Sequence, residues 1–381
     1  MSNTVLNDLG YAYDPYFYGN RAITQLEKNL VFAGSVYRGY DRNVGERGQY
    51  INIRKPDTFV VNDAPSAAQD VDPENIQIQL NQWKEVKFKL TDKELTLGAE
   101  PLIMEHIDRA AYALAAYVDQ QVAGLGEDIP WYQDLSSTPA VGDITASRRI
   151  LSQNNVPVFD QNNMFLMLDP LATEGFLNLT AFSQNQGAGD VGVNTQLTGS
   201  LGRKFGFNTF ETQNIQNHTT GSASTTTLAL NGAATARSTV VNIDAGSVTG
   251  TLAKGDVITF AGHSQKYAIT GTKTASSNAF TAVGISPPLA VDVADNVVIT
   301  LVQDTHSMNL AYHRDAFALA MAPLSDAASG LGVRVGTVTR NNISIRSRVY
   351  AMPDTSQIAV ALDVLFGIKT LDANKAVRLR G

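Results

Sequence analysis

EPLIMEHIDRAAYALAAYVDQQVAGLGE, residues Glu100–Glu127, is the stretch of this chain that decides its fold. Its apolar residues recur at spacings of three and four, which places them on one continuous face of a helix. They are Ile103, Ile107, Ala110, Leu114, Val118, Val122 and Leu125, with one polar interruption at Gln121. Pro101 suits a first helical turn, and Gly124 suits a helix end. The pattern predicts a helix over Glu100–Gly124, roughly 37 Å long at about 1.5 Å per residue.

The apolar face of this predicted helix is rich in alanine, at Ala110, Ala111 and Ala115. Small side chains allow a flat partner to approach closely, so we expect the helix to lie as a spine across a β-sheet. One long helix in an ordinary enzyme domain is an equally good interpretation of this stretch alone.

Composition limits the classes of protein to which the chain can belong. Its 381 residues, 44% of them hydrophobic, can form two or three domains with real cores. The absence of cysteine excludes disulfides, thiolate metal sites and thiol nucleophiles. The sequence has no apolar run of about 18 residues that would predict a transmembrane helix, and its N-terminus does not match a signal peptide. A net charge of −7 argues against a dedicated nucleic-acid reader.

The N-terminal segment, residues 1–48, is rich in aromatic side chains, among them Tyr16 and Phe17. Only Arg21–Phe32 has a short helical pattern. A segment with so little periodicity forms no core of its own, so it packs either on its own domain or on a neighbouring molecule, and the sequence leaves both alternatives open.

Residues 49–90 change to the alternating pattern of β-strands, with Ile51 and Ile53 in a first run and Ile76, Ile78 and Leu80 in a second. A polar, turn-rich segment separates these runs. The pattern predicts a long two-stranded hairpin with little core at its tip. Because such a hairpin is marginal in water by itself, we expect it to lie on a partner.

The composition changes sharply at Ser222. The block Ser222–Val302 contains only eight charged residues and is rich in Thr and Ser. Its strand-like runs are short and separated by Gly and Asn turns; they are Thr226–Leu230, Thr239–Ile243, Asp256–Phe260, Gln265–Thr270 and Val297–Val302. Several short strands at regular spacing predict a small antiparallel barrel or sandwich, which we expect to fold independently.

The chain on both sides of this block has an α/β pattern. Before it, Ile144–Gln153 predicts a helix and Met164–Leu168 a strand, after which Asp169-Pro170 opens another helix through Leu179. After the block, Asn309–Leu324 (NLAYHRDAFALAMAPL) returns to a helical α/β pattern. Ile343–Met352 and Gln357–Phe366 alternate like strands. An all-β block inside an α/β chain is best explained as an insertion in a surface loop.

Candidate catalytic and binding motifs are weak. GAGDVG at residues 187–192 matches a dinucleotide fingerprint with Glu211 downstream, but it follows polar residues and opens no helix. Residues 199–204 lack the P-loop spacing, and residues 262–266 lack the context of a nucleophile elbow. The histidines are His106, His218, His263, His306 and His313, and no pair has the i, i+4 spacing of a helical zinc site. Capping or packing is the better interpretation of His306, His313 and Asp315, and packing of His106. We therefore predict no catalytic residue, no metal and no cofactor.

Four stretches together resemble the major capsid proteins of tailed bacteriophages, which have the HK-ninety-seven fold. They are GQYINIRKP at Gly48–Pro56 with LNQWKEVKFKLTDKELTLG at Leu80–Gly98, the spine at Glu100–Gly126, LAKGDVITFAG at Leu252–Gly262, and Asn309–Leu324 with Leu362–Leu379. More narrowly, the chain is similar to the P-twenty-two-type coat proteins, which carry an inserted β-domain. No Lys–Asn pair matches the covalent cross-link of some relatives, so that chemistry is not expected.

The resemblance implies an α+β fold with a spine helix, an extended hairpin loop and an inserted β-barrel. The expected segments are an N-terminal arm (1–48), the extended loop with peripheral strands (49–90), the spine helix (91–130), a first axial part (131–221), the inserted barrel (222–302), a second axial part (303–342) and C-terminal strands (343–381).

The resemblance also implies a structural role: hexamers and pentamers of this chain would close into an icosahedral shell around non-specifically held double-stranded DNA. The implied location is the virion, with assembly in the host cytoplasm. Scaffolding, portal and decoration proteins are expected partners, and a membrane is not. The hypothesised assembly contacts are Arg54, Lys55, Asp63, Asp70, Asp72, Glu74, Tyr16 and Phe17. Those of the inserted block, which would brace the subunit or its neighbours, are Asp244, Lys254, Asp256 and Asp292.

Two alternatives remain open at this point. One is an encapsulin-like cellular compartment with the same fold. The other, from a different class, is a carbohydrate-active or receptor-binding protein that uses the inserted block. The scarcity of aromatic residues in that block, Phe260, Tyr267 and Phe280, counts against a sugar-binding platform.

Overall fold

The computed structural model describes residues 15–39, 50–55, 61–64, 68, 74–135, 139–183, 195–224, 227–326, 333–352 and 357–381, with side chains throughout except at positions 54, 55, 74 and 92–104. The helices are α1 (Pro15–Asn29), α2 (Phe32–Ser35), α3 (Asp92–Gly124), α4 (Val141–Gln153), α5 (Pro170–Leu177) and α6 (Thr180–Ser183). No described helix has the length and apolar character needed to cross a membrane.

The strands are numbered in chain order. The first half of the chain has β1 (Tyr50–Lys55), β2 (Glu74–Gln79), β3 (Gln82–Thr91), β4 (Tyr132–Asp134), β5 (Met164–Leu168), β6 (Arg203–Lys204), β7 (Phe207–Glu211), β8 (Asn217–His218), β9 (Leu228–Leu230), β10 (Val240–Asp244) and β11 (Thr251–Leu252). The second half has β12 (Val257–Phe260), β13 (Lys266–Ile269), β14 (Lys273–Thr274), β15 (Ala279–Ser286), β16 (Val298–Val302), β17 (His306–His313), β18 (Phe317–Ala322), β19 (Val333–Arg340), β20 (Ile343–Met352), β21 (Gln357–Thr370) and β22 (Ala376–Arg380).

The chain divides into two compact units. The first takes the described parts of Met1–Leu30, Arg38–Val118 and Ala318–Lys369, and the second takes those of Val31–Tyr37, Asp119–Phe317 and Thr370–Gly381. Each unit is therefore built from segments that are distant in sequence.

In the first unit, a sheet runs in the order β18, β21, β20, β19, and β3 pairs with the other side of β21. The long helix α3 lies on one face of this sheet: the ring of Tyr117 contacts that of Phe366 at 6.4 Å between centroids, and that of His106 contacts Phe88 at 5.6 Å. The predicted apolar face is buried at Ile107, Ala110, Ala111, Leu114, Ala115 and Val118. The prediction of a spine helix on a sheet is confirmed, although the His106 side chain is exposed.

Helix α3 begins earlier than the sequence predicted. It starts at Asp92 and runs for 33 residues, about 50 Å, so Pro101 lies inside the helix and not in its first turn. Proline removes one backbone hydrogen bond from a helix interior, which usually ends a helix. Here strand β3 ends at Thr91 and leads directly into the helix at Asp92.

Replacing Ala111 by tryptophan tests the packing of this face. Ala111 is fully buried, so a ring there forces neighbouring side chains apart, and overpacking of this kind typically costs about 1–3 kcal/mol. We expect a lower urea midpoint for A111W by circular dichroism. The matched control is Ala113→Trp on the exposed side of the same helix, which should unfold like the wild type. Equal midpoints for both variants would contradict the burial of this face.

Helix α1 packs on the same unit. A Cβ placed at Gly19 would lie 2.8 Å from Val338 Cγ2 on β19, so the helix and strand are in close contact. Its own side chains Tyr18, Ile23 and Leu26 are buried. Residues Val31–Tyr37 of the same arm belong to the second unit. Helix α1 therefore packs on its own unit, one of the two alternatives that the sequence left open. It also leaves Tyr16 51% and Phe17 40% exposed.

The second unit contains a mixed sheet in the order β4, β22, β17, β5, β7, β6, with β8 pairing to one end of β17. Strand β5 and helix α5 lie where the sequence predicted them. Asp169 caps α5, because its Oδ1 accepts the Ala172 N–H at 2.9 Å, and Pro170 follows in the first turn.

The prediction of helical structure in Asn309–Leu324 is wrong. This segment forms the strands β17 and β18. Within β17 every residue after Ser307 is buried, and the strand lies between β22 and β5 in its sheet. A strand covered on both faces has a continuous apolar run, which periodicity alone does not distinguish from a buried helix.

The inserted block forms a closed barrel in the order β10, β15, β13, β12, β16, β9. Its core is an apolar cluster of its own that includes Leu230, Ile243, Ile258, Tyr267 and Phe280. The barrel prediction is confirmed. Strand β15 was not predicted, although it joins β10 to β13; a register irregularity opposite Val241 and Ile243 and the positive φ of Ala282 interrupt its alternation.

Candidate functional site

A buried carboxylate, that of Asp256, joins the inserted barrel to the rest of its unit. Its oxygens accept hydrogen bonds from His218 Nε2 at 3.2 Å, Thr220 Oγ1 at 3.0 Å and the Ala253 N–H at 2.9 Å. The Gly221 N–H and Gln303 Nε2 also donate to it. Asp256 thus ties the barrel to both chain segments that enter and leave it.

Charged groups surround this carboxylate. Lys254 Nζ lies 3.0 Å from Glu127 and 3.7 Å from Asp128, in the short helix Leu125–Asp128. The carbonyl between Lys254 and Asp256, that of Gly255, accepts a hydrogen bond from the buried Arg378 at 2.9 Å. We call this set, His218, Lys254, Asp256, Glu127 and Arg378, the barrel junction.

Two further contacts extend the junction along its edge. Lys266 Nζ, on barrel strand β13, lies 3.8 Å from the ring centroid of Tyr132 on β4. Gln265 Nε2 donates to Asn374 Oδ1 at 3.0 Å, and Trp131 Nε1 donates to the same oxygen at 2.9 Å. The junction is therefore polar, whereas the core of the barrel is apolar.

The junction shifts the pKa values of its groups. Burial opposes ionisation of Asp256, but hydrogen bonds from His218, Ala253, Gln303 and Thr220 outweigh it and lower the pKa of the carboxyl. Burial lowers the pKa of Arg378 to about 10. Burial also lowers the pKa of Lys266, with Arg380 adding to the effect. The site holds several charges that have lost much of their hydration.

Two of the four barrel residues singled out in the sequence, Lys254 and Asp256, meet at this junction and bind their own chain. The other two lie elsewhere on the barrel. Asp292 is exposed and accepts the Ala236 N–H at 2.7 Å, and Asp244 ends strand β10 opposite Ala279. Contacts of these four residues with a neighbouring subunit stay a prediction.

The predicted hairpin is an antiparallel pair of β1 and β2, in which Arg54 lies opposite Asn75 and Lys55 opposite Glu74. Asp63 is exposed. Asp70 and Asp72 lie outside the described residues, as do the side chains of Arg54, Lys55 and Glu74. The role of this group in assembly, like that of Tyr16 and Phe17, stays a prediction.

The first unit contains a buried charge cluster that sequence reasoning missed. Asp363 on β21 is fully buried and accepts two hydrogen bonds from Arg346, at 3.1 Å from Nε and 2.5 Å from Nη2. Arg348 lies 3.3 Å from the same carboxylate, and Trp83 Nε1 donates to it at 3.0 Å. We call these residues the Asp363 cluster.

The second unit contains another buried carboxylate, that of Asp119 on α3. It accepts the N–H groups of Val31 at 2.8 Å, Phe32 at 3.3 Å and Ala33 at 3.1 Å, where α2 begins. Burial raises the pKa of Asp119, although these hydrogen bonds act in the opposite direction. In the sequence, this site is indicated only by the position of Asp119, which directly follows Val118 on the apolar face of the predicted spine helix.

The histidines have structural roles. His313 caps the short helix Arg314–Ala316 by accepting the Asp315 N–H at 3.3 Å, as the capping interpretation predicted. His218 and His306 lie with ring centroids 5.2 Å apart. Within the described part of the chain, no three His, Cys, Asp or Glu side chains are grouped to hold a metal ion. The dinucleotide-like motif at residues 187–192 lies outside the described residues.

Sequence comparison finds no matching family model and no matching characterised protein. Solved structures do match. A structure from Mycobacterium phage Che8 is 13% identical and gives a TM-score of 0.52 over 92% of this chain and 90% of that chain. The mature capsid of bacteriophage PhiM1 is 8% identical, with a TM-score of 0.48 over 92% and 86%. The capsid of cyanophage P-SCSP1u is 10% identical, with a TM-score of 0.46 over 87% and 83%. The first match confirms the predicted α+β fold.

Proposed function

We propose that this chain, which has the fold of a phage capsid protein, is the major capsid protein of a tailed bacteriophage. The observation that carries the proposal is the fold match to the Che8 structure, which extends over nine-tenths of both chains. The proposed role is structural: copies of the chain associate into a closed shell, and no residue acts as a catalyst.

Exposed features of the first unit support self-association. Tyr16 and Phe17 on α1 and Trp83 on β3 each leave 40% or more of their surface exposed. Large aromatic side chains are enriched at protein interfaces, because they bury much surface for little lost conformational freedom. The two-stranded sheet of β1 and β2 pairs with no other described strand. We infer that neighbouring copies cover these features in the shell.

We further infer that the shell is built from hexamers and pentamers and encloses double-stranded DNA. With a net charge of −7, the chain would contact DNA loosely and through counterions. Scaffolding and portal proteins are the partners that we expect for such a shell, and a decoration protein is a further candidate. The proposed location is the virion, after assembly in the host cytoplasm.

Reversing Arg54 and Lys55 together to glutamate tests the role of the hairpin. Each exposed ion pair across a subunit contact contributes only about 0–1 kcal/mol, but a shell repeats the contact on every subunit. Arg54 and Lys55 lie at the end of β1, beyond the buried Ile51, so we expect R54E/K55E to fold like the wild type by circular dichroism. We expect sedimentation and negative-stain microscopy to show no shells, or shells that form only within a narrow range of salt concentration.

The matched control reverses two cations outside the hairpin, Arg149 and Lys273, and changes the net charge by the same amount. It separates a local contact from a general charge effect. Normal shells from R54E/K55E would refute the role of the hairpin. A wild-type chain that never forms particles larger than a small oligomer would refute the proposed function itself.

A further inference from the structure

A second buried imidazole, that of His306, lies beside His218 of the barrel junction. His218 is 1% and His306 is 6% exposed. His306 Nδ1 lies 2.8 Å from the carbonyl oxygen of Asp304, and because a carbonyl only accepts, Nδ1 carries the hydrogen of the neutral ring. A second proton must therefore go to Nε2, a buried atom that has no hydrogen-bond partner among the described residues.

The surroundings of His306 oppose a positive charge. The ring of His218 lies 5.2 Å away, and the charges of Arg378 and Arg380 both act on His306. The carboxylates nearby are already engaged: Asp256 by His218 and the chain segments around it, Glu127 and Asp128 by Lys254, and Asp304, on the same segment as His306, near Arg380. Nε and Nη2 of Arg378 are themselves buried without described partners. A proton on His306 would thus add a cation beside Arg378 and Arg380. The neighbouring buried atom Nδ1 of His218, which also has no described partner, is an acceptor that carries no charge to balance it.

The barrel is the part of the unit that can move away in response. Strand β17 is held along its length by β22 and β5. Strand β8, by contrast, pairs with β17 only at His218 opposite His306 and at Asn217 opposite Ser307. The barrel keeps its own apolar core, so separation at the polar junction leaves that core intact.

We propose that the barrel junction is an acid-released latch, which holds the barrel against the β17 sheet while His306 is neutral and opens when His306 takes up a proton. The latch belongs to the isolated chain and does not depend on the formation of a shell. It would allow a drop in pH to free the barrel while both the barrel and the sheet stay folded.

The pH range follows from the direction of the shift. Burial, together with the charges of Arg378 and Arg380, lowers the pKa of His306 from 6.5 to about 4 in the docked state. The contact of the barrel with the β17 sheet is therefore fully stabilised by neutral His306 above pH 6.5, and this stabilisation is lost as the pH falls towards 4. Between pH 8 and pH 5 the docking equilibrium should fall by about 30-fold. The pKa of Asp256 is lowered from 3.8, so this carboxyl group takes up a proton only at more acid pH. It does not contribute to a transition between pH 4 and 6.5.

The experiment uses the full chain with Trp83 replaced by phenylalanine. The sequence has two tryptophans, so Trp131 is then the only one, and it shares its acceptor Asn374 with Gln265 of the barrel. We expect the emission wavelength of Trp131 to change with a midpoint between pH 4 and 6.5, while far-UV circular dichroism stays constant. His306→Asn, which keeps a donor for Asp304 and does not titrate, should abolish the transition. His263→Asn, in the turn between barrel strands β12 and β13, removes an imidazole that is not among the residues of the barrel junction and should leave the transition unchanged.

Hydrogen exchange on the unmodified chain, corrected for intrinsic rates, provides the second measurement and is decisive even where H306N fails to fold. Loss of protection at pH 4.5 confined to residues 217–221, 253–256 and 303–307 supports the latch. Protection lost equally throughout the unit overturns it. A transition that persists unchanged in H306N, or a wild-type chain without a transition between pH 4 and 6.5, also overturns it.

Discussion

Replacing Asp363 by alanine is expected to lower the free energy of unfolding by about 3–5 kcal/mol. The carboxylate is fully buried and holds Arg346, itself only 8% exposed, by two hydrogen bonds. Removing it leaves the guanidinium charge buried, with the Ser325 carbonyl at 2.7 Å as an acceptor that carries no charge. Breaking a buried ion pair costs more than the pair contributes, because the remaining charge keeps its desolvation penalty.

The matched control for this prediction is Glu85→Ala. Glu85 lies opposite Asp363 on the neighbouring strand and pairs with Arg348 at 3.0 Å, but it is partly exposed. Its loss should change the free energy of unfolding by about 0–1 kcal/mol. Urea unfolding of the two variants and the wild type measures both values. Similar, small losses in the free energy of unfolding for D363A and E85A would show that the Asp363 cluster is hydrated and not buried.

The second large effect is expected at Asp119. Its alanine variant leaves the N–H groups of Val31, Phe32 and Ala33 without their acceptor, and α2 loses the carboxylate at its positive end. Each buried donor left unpaired costs about 1–3 kcal/mol, and partial hydration reduces the sum. We expect a loss of about 2–4 kcal/mol in the free energy of unfolding.

Asp119→Asn refines this test. The amide retains one acceptor oxygen but presents N–H hydrogens to the backbone donors on its other side. We therefore expect the free energy of unfolding of D119N to lie between that of the wild type and that of D119A. Gln120→Ala, on the exposed side of the same helix, is the control and should change the free energy of unfolding by less than about 0.5 kcal/mol. If D119A unfolds at the same urea concentration as Q120A, the backbone at residues 31–33 does not depend on this carboxylate.

The sequence alone determined the features that local periodicity controls. The spacing of Ile107, Leu114 and Val118 predicted the buried face of α3, and Asp169-Pro170 predicted the start of α5. The short alternating runs after Ser222 predicted five of the six strands that close the barrel, all except β15. In each case the physical cause lies within a few residues: side chains repeat with the helix or strand period, and caps act on the adjacent turn.

The tertiary structure alone decided whether Asn309–Leu324 is helix or strand, because its two strands pair with partners from distant parts of the chain: β17 with β5 and β22, and β18 with β21. It also decided which buried charges meet. Trp83 and Asp363 are 280 residues apart, Val31 and Asp119 are 88 apart, and His218 meets His306 across the whole inserted barrel. A carboxylate in a strand or helix looks the same in sequence whether it faces water or a buried cation. Its partner is set by the packing of distant segments, and that packing placed the clusters on which stability and the proposed latch depend.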